Sequence, residues 1–184
     1  MTTLLNIWRQ FKRICIHKFW VLYYCWSAGL FWQGIVHDLS KFSWIEFWRS
    51  VKYFDPKKSA IANERSIEGY SRAFLHHRGH NPHHYEYWIT NLDQGGVPVK
   101  MPWKYAMELV CDYLAACRTY GGDPTQEIFW WEQQEGSLKI HPGTKEFINY
   151  VFSAINYGFS LSVISKTFNK SWYETLIKKE GSGD

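Results

Sequence analysis

The chain has no Cys-x-x-Cys pair. Its four cysteines, Cys15, Cys25, Cys111 and Cys117, are scattered, which argues against a zinc ribbon. They are also too few for a disulfide framework, so reduced thiols in a cytoplasmic protein are expected. No stretch alternates apolar and polar residues over six positions, so the pattern is all-α. Internal repeats are absent, and 184 residues suit one domain covering 1–184. A large excess of one charge sign is missing too: 21 bases against 17 acids give +4. That balance is compatible with an anionic small-molecule substrate and too weak to indicate a stable nucleic-acid complex. The bases Arg9, Lys12, Arg13 and Lys18 read as a solvated helix face. A clean run of about 20 apolar residues is also lacking. Phe19 to Val36 comes nearest, but Trp20, Tyr23, Tyr24, Trp26, Ser27, Gln33 and two glycines dilute it. It also runs directly into His37-Asp38. Neither a membrane span nor a cleaved signal is expected from it.

What the chain has in quantity is aromatic side chains: 11 Trp, 12 Tyr and 12 Phe. At this density they are expected to fill a core. Helix punctuation follows along the sequence. Apolar residues at helical spacing occupy residues 3–33, beginning with Leu4, Leu5, Trp8 and Phe11. Ser43 and Glu46 form a capping-box pattern opening a helix to about Tyr53. Lys57 to Ser66 reads as a loop leading into a helix with Tyr70, Phe74 and Leu75, broken at Gly79 to Pro82. Asn81 is an expected N-cap and Pro82 an expected first turn of the next helix. Pro102 starts a helix to about Thr119, and Asp123-Pro124 starts another. Thr144 is expected to cap a helix to about Tyr157, and Ser171 with Glu174 a last short one. The sum is a compact bundle of about seven or eight helices, with 178–184 as a flexible tail.

Metal-ligating side chains are concentrated in two places. His37-Asp38 sits inside Val36-His37-Asp38-Leu39-Ser40-Lys41, and five of the eight histidines lie between His76 and His84. Neutral imidazole beside carboxylate suits a hard or borderline divalent cation. His17 precedes His37 by 20 residues, enough for a helix and a turn to bring both to one site. Asp112 lies mid-helix, where aspartate is a poor helix former, and Glu108 shares its face four residues earlier. His80 reads as an exposed loop residue and His141, before Pro142, as a turn residue.

His17, His37-Asp38 and Asp112, in that order on helices, resemble the HD-domain superfamily of metal-dependent phosphohydrolases. Lys41 matches the lysine of its His-Asp-x-x-Lys form. A closer resemblance is to a small uncharacterised phage and bacterial family. The residues that carry it are His37-Asp38-Leu39-Ser40-Lys41, His76-His77 and Asn81-Pro82-His83-His84-Tyr85-Glu86. The superfamily resemblance implies an HD-like helical fold with two divalent ions, and residue types do not choose among Mn, Fe, Co, Ni, Mg and Zn. One ion would use His17, His37, Asp38 and Asp112. The other would share Asp38 and use His77 with His83 or His84.

The implied activity is a phosphohydrolase or phosphodiesterase acting on a small phosphorylated substrate, a nucleotide, cyclic or signalling forms included. Metal-activated water would be the nucleophile. Asp38 and Lys41 are the expected catalytic residues. Lys41, Arg72 and Arg78 are candidate phosphate clamps by charge and proximity. Glu86 and Glu108 are candidates for orienting histidine ligands. The setting would be the cytoplasm, the host's if the protein is phage-encoded. Two other readings stay open: a di-iron oxygenase on the same scaffold, and a non-catalytic binder of a nucleotide or protein.

Overall fold

The computed structural model describes residues 2–180. Among them ten α-helices follow one another: α1 (Thr2–Ser27), α2 (Phe31–Val36), α3 (Trp44–Lys52), α4 (Ala60–Glu68), α5 (Arg72–His80), α6 (Trp103–Thr119), α7 (Pro124–Gln134), α8 (Pro142–Asn156), α9 (Leu161–Thr167) and α10 (Lys170–Glu180). The only described strands are the two-residue pieces β1 (Ile89–Thr90) and β2 (Val97–Pro98), paired antiparallel. The protein is all-α, as its sequence pattern predicts.

The extra helices have local causes. Gly29, at φ +77°, takes the left-handed conformation that side chains disfavour. It divides the expected first helix into α1 and α2. The expected loop over 57–66 contains α4 instead, because Ser59 accepts a hydrogen bond from the Ala62 N–H and so caps a helix. Ser43 caps α3 as expected. Thr144 does not cap α8. Pro142 stands at the start of that helix, and the buried Thr144 hydroxyl accepts from the Met101 N–H and bonds Tyr173. Asn169, rather than Ser171, accepts from the Trp172 N–H at the start of α10. Of the expected tail, 178–180 is helical, and 181–184 lies outside the described residues.

Helix α6 is the structural axis. Ala106 through Cys111, together with Leu114, Ala115 and Cys117, are buried. It packs against α1, α7, α8 and α10, while α3 packs against α1, α4 and α5. Trp131, Phe147 and Phe152 fill the core beside α6. The aromatics do not all go inward, however. Trp8, Trp32 and Trp44 are 63%, 70% and 77% exposed. All four cysteines are free. No helix among the described residues is long and apolar enough to cross a membrane.

Candidate metal centre

Four elements bring the sequence-predicted ligands together. His17 comes from α1, and His37-Asp38 from the turn that ends α2. His77 lies on α5, with His83 and His84 just beyond it, and Glu108 and Asp112 are one turn apart on α6. Asp38 is one of two described non-glycine residues with positive φ, at 54°. Such a conformation costs on the order of 1 kcal/mol or more and clusters at functional sites. Lys18 secures this turn: its ammonium donates to the carbonyls of His37 at 2.6 Å and Ile35 at 3.1 Å.

Asp38 is the hub. Its Oδ2 lies 3.2 Å from His37 Nε2, 3.6 Å from His17 Nε2 and 2.5 Å from Lys41 Nζ. Its Oδ1 lies 3.2 Å from His77 Nε2 and 3.4 Å from His83 Nε2. Asp112 Oδ1 is 2.9 Å from His17 Nε2 and 3.4 Å from His37 Nε2. Two sets of side chains each offer ligand atoms within 4.8 Å of one another: His17, His37, Asp38 and Asp112, and Asp38, His77, His83 and His84. A third set, His37, His83 and Glu108, shares His37 with the first and His83 with the second.

The outer nitrogens fix how these rings face. Glu108 Oε1 is 2.9 Å from His37 Nδ1 and 3.3 Å from His83 Nδ1. Glu46 Oε2 is 2.7 Å from His77 Nδ1. The Thr119 hydroxyl donates to the Ala115 carbonyl, so it can accept from His17 Nδ1 at 3.4 Å. A carboxylate or hydroxyl acceptor at Nδ1 places the proton there and leaves Nε2 with its lone pair. Among the described residues, the Nε2 atoms of His17, His37, His83 and His84 are buried with no hydrogen bond. Buried polar atoms are nearly always satisfied. Four such nitrogens converging on carboxylates are a donor set that fits divalent cations.

The charges agree with that fit. Burial pushes the Asp38 carboxyl up, but His37, Lys41 and His77 outweigh it and hold it well below the usual range. Asp112 behaves alike, with His17 and His37 prevailing over burial. Glu46 and Glu108 are also lowered against burial by their histidine partners. Burial, then neighbouring histidines, lowers His83 and His84, which favours the neutral ligand form. His37 is the exception: Asp38 and the other carboxylates around it raise it despite burial, which favours its protonated form until a cation takes the place of that proton.

The chain belongs to DUF5662. That family of unknown function has a model matching residues 6–154, a span that contains every side chain of this centre. No curated protein and no solved structure matches the chain.

Several expected residues stand elsewhere in this family member. Pro82 does not begin a helix. Asn81 ends α5 in an extended conformation, as a residue before proline prefers. Its side chain donates to the His77 carbonyl and to Ser40 Oγ. His83 and His84 therefore sit on a turn rather than about 100° apart on a helix, and both join the set around Asp38. Glu86 Oε2 is 3.9 Å from His84 Nδ1, and burial raises its carboxyl. Arg72 is exposed and Arg78 half-buried. Neither lines the cavity of about 280 Å³ that opens beside the centre, whereas Lys41, Arg13, Gln10 and Tyr120 do. His80 stacks on His76 at 4.0 Å, away from the centre's ligand sets. Glu46 was hidden in the sequence because its spacing from Ser43 has a sufficient local explanation as a capping box.

Proposed function

We propose that this protein is a metal-dependent phosphohydrolase or phosphodiesterase of HD-like architecture acting on a nucleotide, cyclic and signalling nucleotides included. The observation that supports it most is the position of Asp38. Its two oxygens face separate histidine groups, His17 with His37 and His77 with His83. A carboxylate so placed suits two cations sharing one ligand. One ion would be held by His17, His37, Asp38 and Asp112, the other by Asp38, His77, His83 and His84. When bound, such ions acidify water and neutralise phosphoryl charge.

The chain's own residues do the rest. Glu108 and Glu46 hold the imidazoles in one tautomer and orientation. Lys41 stays protonated, because Asp38 and Asp112 outweigh the effect of burial on its ammonium. It stands on the cavity wall beside the centre, where an ammonium can hold a phosphate as a point charge. The cavity, about 280 Å³, is near the lower end of ligand pockets and suits one small molecule rather than a polymer.

The test is a metal analysis of protein purified without a histidine tag, followed by a nucleotide panel with Mg, Mn, Co, Ni and Fe. Bound metal near two ions per chain and release of phosphate, or cleavage of a phosphodiester, is the expected result. No hydrolysis with any of these metals overturns the proposal. Oxygen consumption by an iron-loaded protein would replace it with the oxygenase reading.

A further inference from the structure

Residues 1–54 hold seven bases and only two acids, Asp38 and Glu46. Both acids are buried, so the surface these residues make carries no exposed carboxylate. The remaining 130 residues hold fourteen bases and fifteen acids. Of the seven bases in residues 1–54, Arg49 and Lys52 pair with Glu64 and Glu68 of α4, and Lys41 pairs with Asp38; Arg9 and Lys12 are the exposed bases of α1.

The same region carries five of the six exposed tryptophans among the described residues, Trp130 being the sixth. On α1, Trp8, Phe11, Phe19 and Trp26 are exposed and recur within a sector about 80° wide at 100° per residue. The stripe continues onto neighbouring elements. Phe11 meets Phe42 at 6.2 Å between ring centroids, and Trp26 meets Phe31 at 4.9 Å. Trp32, 5.7 Å from Phe31 between ring centroids, extends it on α2, and Trp44 is exposed two residues after Phe42. Exposed Lys12 flanks the stripe. His17 lies nine residues from Trp8, hence about 180° around the helix. One side of α1 therefore feeds the metal centre, while the other is an uncovered aromatic face.

We infer that this face docks on an anionic lipid bilayer, with the protein lying on the surface and not crossing it. Tryptophan rings with bases beside them suit the headgroup region, where the apolar ring and the polar N–H are both accommodated. Each base near an anionic leaflet adds attraction that falls away within a Debye length. A symmetric pairing of two copies through the same face would instead set bases against bases. The inference does not depend on the proposed hydrolase activity.

Flotation of the full chain with vesicles tests it. Vesicles with about 30% phosphatidylglycerol in phosphatidylcholine are expected to carry the protein, and pure phosphatidylcholine vesicles at least about tenfold less. Trp8→Ala combined with Trp44→Ala is expected to weaken binding about tenfold or more. Arg9→Glu with Lys12→Glu is expected to erase the preference for the anionic vesicles, as is high salt. All variants keep the metal content and circular dichroism of the parent, because neither pair touches the centre. No flotation of the folded parent overturns the inference, and so does binding that both variant pairs leave unchanged. A dimer in sedimentation equilibrium that the tryptophan variants dissociate, without vesicle binding, would make the face a self-association surface instead.

Discussion

At the scale of single residues, Asp38 has two properties to separate: its charge and its left-handed backbone, φ 54°. Asparagine tolerates that conformation better than alanine does, so Asp38→Asn removes charge with little backbone cost. We expect Asp38→Asn to lose metal and activity while keeping the parent's circular dichroism. Full metal content in that variant, measured by elemental analysis, would remove Asp38 from the ligand set. A second comparison ranks the two acids of α6. Asp112 faces Nε2 atoms, whereas Glu108 faces Nδ1 atoms. Asp112→Asn is therefore expected to weaken metal binding more than Glu108→Gln, whose effect should fall in the range of about 10–100-fold. The reverse ranking in a metal titration would mean the α6 acids have exchanged roles. The candidate ligands were legible because histidine and aspartate advertise their chemistry. Glu46 and Lys18 were not, because both act through groups far along the chain: Glu46 on His76 and His77, Lys18 on the His37 carbonyl.

At the scale of elements, the site depends on how helices are joined. Gly34 on α2 sits against α1, where an added Cβ would lie 3.0 Å from Leu22 Cα and from Cys25 Cβ. Those atoms belong to α1 itself and cannot turn aside. Gly34→Ala is expected to destabilise the protein by about 1–3 kcal/mol, read as a lower urea midpoint. It should also weaken metal binding, since α2 leads directly into His37-Asp38. Glu64 joins α4 to α5. It accepts from Ser71 Oγ at 2.5 Å and from the backbone N–H groups of Arg72 and Ala73, and pairs with Arg49. Burial raises its carboxyl, but these donors outweigh burial and leave it below the ordinary value. A lowered carboxyl contributes stability above the unfolded value, about 4.3, and loses it as pH falls through the folded one. Glu64→Gln should therefore unfold at a lower urea midpoint at pH 7 and lose less stability on acidification than the parent. Equal pH slopes for the two would contradict this role. Helix existence was legible from caps such as Ser43 and Asp123. The boundary at Asn81 was not, because Asn-Pro serves equally as a helix start or as a stop. Contacts from Asn81 to Ser40 and His77 decide it.

At the scale of the whole molecule, the centre gathers candidate ligands from α1, the turn after α2, α5 with its following turn, and α6, across residues 17 to 112. Asp38, Asp112, Glu46 and Glu108, all with lowered carboxyls, crowd one interior region. A bound cation relieves their mutual repulsion, and the unfolded chain has no such site to offer. A cation bound there would therefore stabilise the fold. With free metal at about 100 times Kd the gain is about 2.7 kcal/mol. For a chain of this length that corresponds to a rise in Tm of roughly 5–10 °C. Adding the preferred divalent ion to chelated protein should give that rise in a thermal melt, and excess chelator should reverse it. Asp38→Asn should show almost none of it. His77→Ala should keep part, because His17, His37, Asp38 and Asp112 remain together, and its bound metal should fall from about two ions to about one. A melt indifferent to every divalent ion would mean that these four carboxylates are balanced by Lys41 and the histidines alone.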